Sequence, residues 1–290
     1  MSLPPLVPPG SPLRRDQVER YSRHLLLEQL GETGQRRLLA ARVLVVGAGG
    51  LGSPILQYLA AAGVGTIGVV DSDVVDSTNL QRQVIHAHDD VGRPKVDSAA
   101  EHVRALNPDV AVERHHLHLD ATNARTVIAG YGLVLDGTDN FPTRYLVNDV
   151  CADLGLPLVW GSILRFDAQV SVFWSRPPAP ESGVTLRDLF PVPPPPGTTP
   201  SCGQAGVLGA MCGQVGSLMA AEAVKLIAGA GRPLLGRVAV LDVLGARWSE
   251  VPLRPRPAGT APTTRAELGY DPQGAPVTAA AAPCSVPDDA

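Results

Sequence analysis

Lysine is nearly missing from this chain of 290 residues: Lys95 and Lys225 stand against 22 arginines. With arginine the default cation, each lysine is a position to explain. Cysteines are few and scattered: Cys151, Cys202, Cys212 and Cys284 form no C-x-x-C pair. In a chain of this size and type that speaks against a disulfide framework. Aromatics make up only 4% against 44% apolar residues, so any core is built from Leu, Val and Ala. No apolar run reaches the about 18 residues a membrane helix needs, and the opening "MSLPPLVPPGSPLRR" lacks the pattern of a secretory signal. A cytoplasmic setting without membrane association is the expectation. Charges of both signs are mixed and the net charge is −4, which speaks against a nucleic-acid partner.

What is present is organised. Apolar runs that read as strands alternate with amphipathic stretches from residue 43 to about 160, which predicts parallel βαβ units. The expected strands are "VLVV", "TIGVVD", "VAVERHHL", "LVLDGTDN" and "PLVWGS". The expected helices cover about 51–62, the run ending at "RALNP", about 121–129, and 141–154. The pattern then changes. "DAQVSVFW" is a strand without a following helix, and residues 177–200 hold nine prolines, which predicts a stiff, extended crossover with no regular element. A long small-residue helix follows, then "GRVAVLDVLGARWSEVPL" as an antiparallel pair. The expected fold is a Rossmann-like α/β mixed sheet, parallel in its N-terminal nucleotide-binding part and antiparallel in its C-terminal part. It forms one domain over 15–253, between a loose N-terminus (1–14) and a disordered tail (254–290).

The chemistry begins at "VLVVGAGGLGSP". Gly47, Gly49 and Gly52 give a G-x-G-x-x-G between a strand and a helix. Such a turn lets a phosphate approach the backbone amides at a helix N-terminus. Asp71 ends the next strand, where a carboxylate can accept ribose hydroxyls. The turn alone suits NAD. The connection that follows, "DSDVVDSTNLQRQVIHAHDDVGRPK", carries Asn79, Arg82 and Lys95, and a dinucleotide does not call for the two cations. A triphosphate attacked at its α-phosphorus does. Asp136 and Asp139 in "LDGTDN" sit where strand ends face the ligand crevice. There Asp139 can bind Mg²⁺ through phosphates or cap the helix after it, and Asp136 can be an interior hydrogen-bonding partner. Cys202 follows the proline-rich crossover close to a helix start, where a thiol can be a reactive thiolate or a passive loop residue.

Taken in order, "RYSRHLLL", "RVLVVGAGGLGSP", "GVVDSDVVDSTNLQRQVIH", "VGRPK", "LDGTDN" and "SCGQAGVLG…GSLMAAEAVKLI" resemble the MoeB/ThiF family of ubiquitin-activating-like adenylyltransferases over about residues 15–253. The resemblance implies ATP and Mg²⁺ as ligands. It also implies a ubiquitin-fold sulfur-carrier protein ending in Gly-Gly as partner, whose terminal carboxylate becomes an acyl-adenylate ahead of thiocarboxylate formation. It places Gly50 against the nucleotide, Asp71 on the ribose with Asp73 in the same nucleotide set, and Asn79, Arg82 and Lys95 on the phosphates. Asp139 would take Mg²⁺, and Arg23 would reach in trans into the other subunit of a homodimer. Cys202 matches a family cysteine proposed to handle sulfur in some members. Many members carry two C-x-x-C pairs that bind zinc. Here the matching crossover reads "ESGVTLRDLF", so no zinc is expected and prolines and packing are left to hold it. Some relatives carry a rhodanese domain. The stretch after Pro252 is too short and irregular for one, so a separate sulfur-donor protein is expected. An NAD(P)-dependent oxidoreductase and a non-enzymatic scaffold for a ubiquitin-like protein are the competing readings.

Overall fold

The computed structural model describes residues 3–194 and 206–257. Cys202, Cys284 and the expected disordered tail beyond residue 257 lie outside the described residues. Eight strands form one sheet in the order β3-β2-β1-β4-β5-β6-β7-β8. They are β1 (Arg42–Val46), β2 (Thr66–Val70), β3 (Ala111–His115), β4 (Leu133–Asp136), β5 (Leu158–Leu164), β6 (Asp167–Phe173), β7 (Arg237–Asp242) and β8 (Arg247–Pro252). Pairing is parallel from β3 through β5 and antiparallel from β5 through β8. This is the expected mixed sheet.

The helices are α1 (Arg15–Arg20), α2 (Ser22–Leu25), α3 (Gly31–Ala40), α4 (Gly52–Ala62), α5 (Lys95–Leu106), α6 (Ala124–Ile128), α7 (Phe141–Leu154), α8 (Leu186–Leu189) and α9 (Gly209–Ala228). Leu44, Leu133, Leu135 and Val159 of the central strands are fully or almost fully buried, as strands covered on both faces require. α9 is apolar nearly all round because it packs on α3, α4, β5 and β6. β1 and β4 are neighbours, yet β1 runs on into α4 and β4 into α7. Strand order therefore reverses between them, and a crevice opens at their C-terminal ends.

Two expectations need correction. The N-terminus is not loose from residue 3 onward. Leu3 is buried, the Leu6 N–H donates to the Leu226 carbonyl of α9, and Arg36 of α3 clasps the Gly10 carbonyl with two donors. Proline-rich sequence discourages helix and strand but still packs when its apolar side chains find a groove. The crossover is also not free of regular structure. One helical turn, α8, forms where Thr185 and Asp188 cap each other. Polar contacts clip that turn to α7, beyond prolines and packing: Asn148 accepts from the Leu186 N–H, Asp149 takes a two-pronged contact from Arg187, and Tyr145 donates to the Phe190 carbonyl. Asp188 also accepts from the Arg256 N–H at 2.7 Å, which ties the crossover to the chain after β8.

Candidate nucleotide site

The glycine turn is built by steric demand. Gly47 sits at φ +91°, a region open to glycine. A Cβ at Gly52 would lie 1.9 Å from the Gly47 carbonyl oxygen, so the turn closes only without a side chain there. The intervening Ala48 peptide is held at both ends. Its N–H donates to Asp71 Oδ2 (2.8 Å), and its carbonyl accepts from His86 Nε2 (3.0 Å). His86 is itself buried against Ser98 Oγ (2.8 Å). Burial pushes its pKa below the ordinary imidazole value, with the nearby Lys95 charge acting in the same direction and the Ala48 hydrogen bond opposing.

The turn forms one wall of a cavity of about 340 Å³ at the β1/β4 reversal. Of the residues expected at a nucleotide, Gly47, Gly49, Gly50, Asp71, Asp73, Arg82, Lys95 and Asp139 line it. Lys95 comes from 24 residues beyond Asp71 and arrives because the connection doubles back. The Val75 N–H donates to the Arg93 carbonyl, the Lys95 N–H to the Asp73 carbonyl, and the Lys95 ammonium reaches Asp73 Oδ2 at 2.8 Å. Its side chain is only 6% exposed, so this ammonium is held in place. Arg82 follows a 3₁₀ turn capped by Asp76 and donates to the Thr78 carbonyl (3.2 Å). Asp139 is exposed at the rim, and among the described residues no group engages its carboxylate. Asn140, not Asp139, caps α7, accepting from the Thr143 N–H at 2.9 Å, so the capping alternative falls to its neighbour.

Three expected residues, Gly52, Asn79 and Arg23, do not line the cavity, and a fourth is not among the described residues. Gly52 shapes the turn without lining the cavity. Asn79 does not line it either; its carbonyl closes the turn by accepting from the Arg82 and Gln83 N–H groups. Arg23 is exposed on α2, and Cys202 lies outside the described residues. Asp136 is the interior partner that was the other option for it. It is fully buried, accepts from the Thr138 N–H and hydroxyl, and is pushed up in pKa by burial while Arg144 pulls the other way.

Sequence reasoning missed Gln83, Leu117 to Leu119, Arg144, Ile163 and Cys212, all on the cavity wall. Gln83 is 5% exposed, and its Oε1 has no partner among the described residues. A buried acceptor without a donor costs about 1–3 kcal/mol, so a ligand supplying a donor fits there. Cys212 lies under Gly50, where a Cβ would come within 2.9 Å of its Sγ. The signal for Gln83 was its place beside Arg82 in "LQRQ"; nothing local marked Arg144 or Cys212.

A glycine-turned cradle at a strand-order reversal, faced by buried and half-buried cations, defines a Rossmann-type phosphate-binding protein. The model of the ThiF family matches residues 21–261, and the chain belongs to that family. It is 57% identical over 258 residues to a Mycobacterium tuberculosis protein described as a probable adenylyltransferase/sulfurtransferase MoeZ, over 89% of this chain and 65% of that one. The chain thus spans just under two thirds of that relative's length. It is 49% identical over 261 residues to a Thermus thermophilus protein described as a sulfur carrier protein adenylyltransferase, over 89% of this chain and 96% of that one. It is 51% identical over 241 residues to the SAMP-activating enzyme E1 of Haloferax volcanii, over 83% and 87%. Among solved structures, E. coli MccB with ATP matches with a TM-score of 0.68 at 21% identity, over 84% of this chain and 74% of that one, a likeness of fold.

Proposed function

We propose that this chain adenylylates the C-terminal glycine carboxylate of a ubiquitin-fold sulfur-carrier protein. The carrying observation is the meeting of Lys95, Arg82 and Asp139 with the glycine turn in one cavity. The names of the Thermus and Haloferax relatives support the substrate class. ATP fits the donor set: turn amides and two cations for the phosphates, Asp71 for the ribose, and Gln83 Oε1 for a donor hydrogen. Mg²⁺ fits one free carboxylate completed by phosphate oxygens and water. Asp139 would hold it, and it would supply neutralisation of phosphate charge.

The carrier's carboxylate oxygen bonds to the α-phosphorus. The bond from that phosphorus to the bridging oxygen breaks, and pyrophosphate leaves with the electron pair. A carboxylate is already a nucleophile, so no side chain needs to remove a proton. Placement and charge stabilisation carry the rate. Arg82 forks onto phosphate oxygens, while Lys95, released from Asp73, meets the charge that grows on the leaving group. Arg23 would complete the site of the other subunit in a homodimer, and Cys202 would act in the later sulfur step. A cytoplasmic setting belongs to the same proposal; no helix among the described residues is long and apolar enough to cross a membrane.

The test is mass spectrometry of Gly-Gly-ended carriers incubated with the chain and ATP·Mg²⁺. The expected product is a carrier heavier by one AMP. Carriers that stay unmodified while NAD, not ATP, protects the chain from proteolysis would overturn the reading.

A further inference from the structure

The cavity has a second cationic wall that the phosphates do not need. Arg144 stands on α7, across from the glycine turn, and is 6% exposed. Its guanidinium donates through Nε and Nη2 to the Thr138 carbonyl (3.2 and 2.9 Å) and through Nη1 to Ser162 Oγ (2.9 Å). It lies 5.7 Å from the Phe141 ring centroid and 5.9 Å from that of Trp160. A guanidinium has five N–H donors, so these bonds leave one on each terminal nitrogen. No carboxylate lies within ion-pair distance of it among the described residues; the buried Asp136 acts on it only at longer range.

We propose that Arg144, with Ser162, binds the attacking carboxylate of the carrier and aims it at the α-phosphorus. This rests on the adenylylation reading. Phosphate charge already meets Arg82, Lys95 and the turn amides on the β1/β2 side. Arg144 belongs to the β4/β5 side, where Ile163 also lines the cavity and Leu164 and Phe166 lie exposed at the next bend. A carboxylate offers two oxygens to a fork whose remaining donors sit on separate nitrogens, the pairing that arginine favours. The rings and the two acceptors hold the fork still, so orientation costs little entropy when the substrate arrives.

The test compares the wild-type chain with Arg144→Lys, using a Gly-Gly-ended carrier that supports ATP–pyrophosphate exchange. The carrier KM is expected to rise at least about tenfold, equivalent to about 1.4 kcal/mol, while the ATP KM stays within about twofold. With a non-cleavable ATP analogue bound, a carrier ending in a carboxamide should bind the wild type about tenfold more weakly than the carboxylate. That ratio should shrink to about threefold or less in Arg144→Lys. Ser162→Ala, which leaves Arg144 in place, should move the carrier KM in the same direction by about threefold and keeps the assignment testable if Arg144→Lys does not fold. An unchanged carboxylate-to-carboxamide ratio, or a rise in the ATP KM instead, overturns the assignment while adenylylation stands. Absence of exchange with every carrier strikes the adenylylation reading and this assignment with it.

Discussion

The two halves of the sheet do different work. In the parallel half, β1 to β5, every strand contributes to the cavity wall: Gly47, Gly49 and Gly50 after β1, Asp71 to Asp73 after β2, Leu117 to Leu119 after β3, Gly137 to Asp139 after β4, and Ile163 near the end of β5. In the antiparallel half, β6 to β8 extend the sheet, and the last strand is exposed along its whole length. Near it the crossover is clipped by Asn148, Asp149, Asp188 and Arg256. The parallel half therefore lines the cavity, and the clip holds the crossover to α7 and to the chain after β8. Substitutions of the charged side chains on the cavity wall should cost rate, and substitutions in the clip should cost stability.

The largest effect is expected at Lys95. Lys95→Ala removes a nearly buried ammonium on the cavity wall, the one the proposed reaction assigns to the phosphates. It should lower exchange by about 10²–10³-fold with little change in melting temperature, since its partner Asp73 remains in water. An unchanged rate would break the division of labour at its strongest point. Gly52→Ala comes next and should cost both properties. The new Cβ falls 1.9 Å from backbone oxygen, with no flexible side chain to give way. Thermal unfolding should report a loss at the upper end of about 1–3 kcal/mol, and ATP binding should fail.

On the other side of the comparison, Asp149→Ala leaves the Arg187 guanidinium, a side chain only 11% exposed, without its two-pronged partner. Denaturant unfolding should show a loss of about 1.5–3 kcal/mol, with the ATP affinity unchanged. A matching loss of ATP affinity would mean that the clip acts on the nucleotide wall itself. A smaller effect belongs to His86. Its pKa is lowered in the fold, so the unfolded chain takes up a proton first as pH falls below the ordinary value of 6.5. Stability should thus drop between that value and the lower one in the fold, and be level above it. His86→Gln should flatten that part of a melting-temperature profile; an unchanged slope would assign it to other groups.

How legible each half was follows from the distance over which its contacts act. The glycine turn, Asp71 and the start of α5 at Lys95 are local patterns, and they appear where their spacing placed them. Asp139 was found with its role left open, because sequence alone does not tell which of Asp139 and Asn140 caps α7. Arg144 looked like any helix arginine. Its surroundings come from Ser162, 18 residues away on β5, and from the ring of Trp160. The N-terminal segment read as loose because its partners, Leu226 and Arg36, sit on distant helices. The crossover clip had the same problem: Asp188 and Arg256 meet across 68 residues.

The most direct measurement is ATP–pyrophosphate exchange, with and without Gly-Gly-ended carriers, for the wild-type chain, Lys95→Ala and Asp149→Ala at a temperature where all three are folded. The account predicts carrier-dependent exchange by the wild type and by Asp149→Ala, and almost none by Lys95→Ala. Exchange that survives in Lys95→Ala would contradict it, because adenylylation would then be taking place without the ammonium that the account assigns to the phosphates.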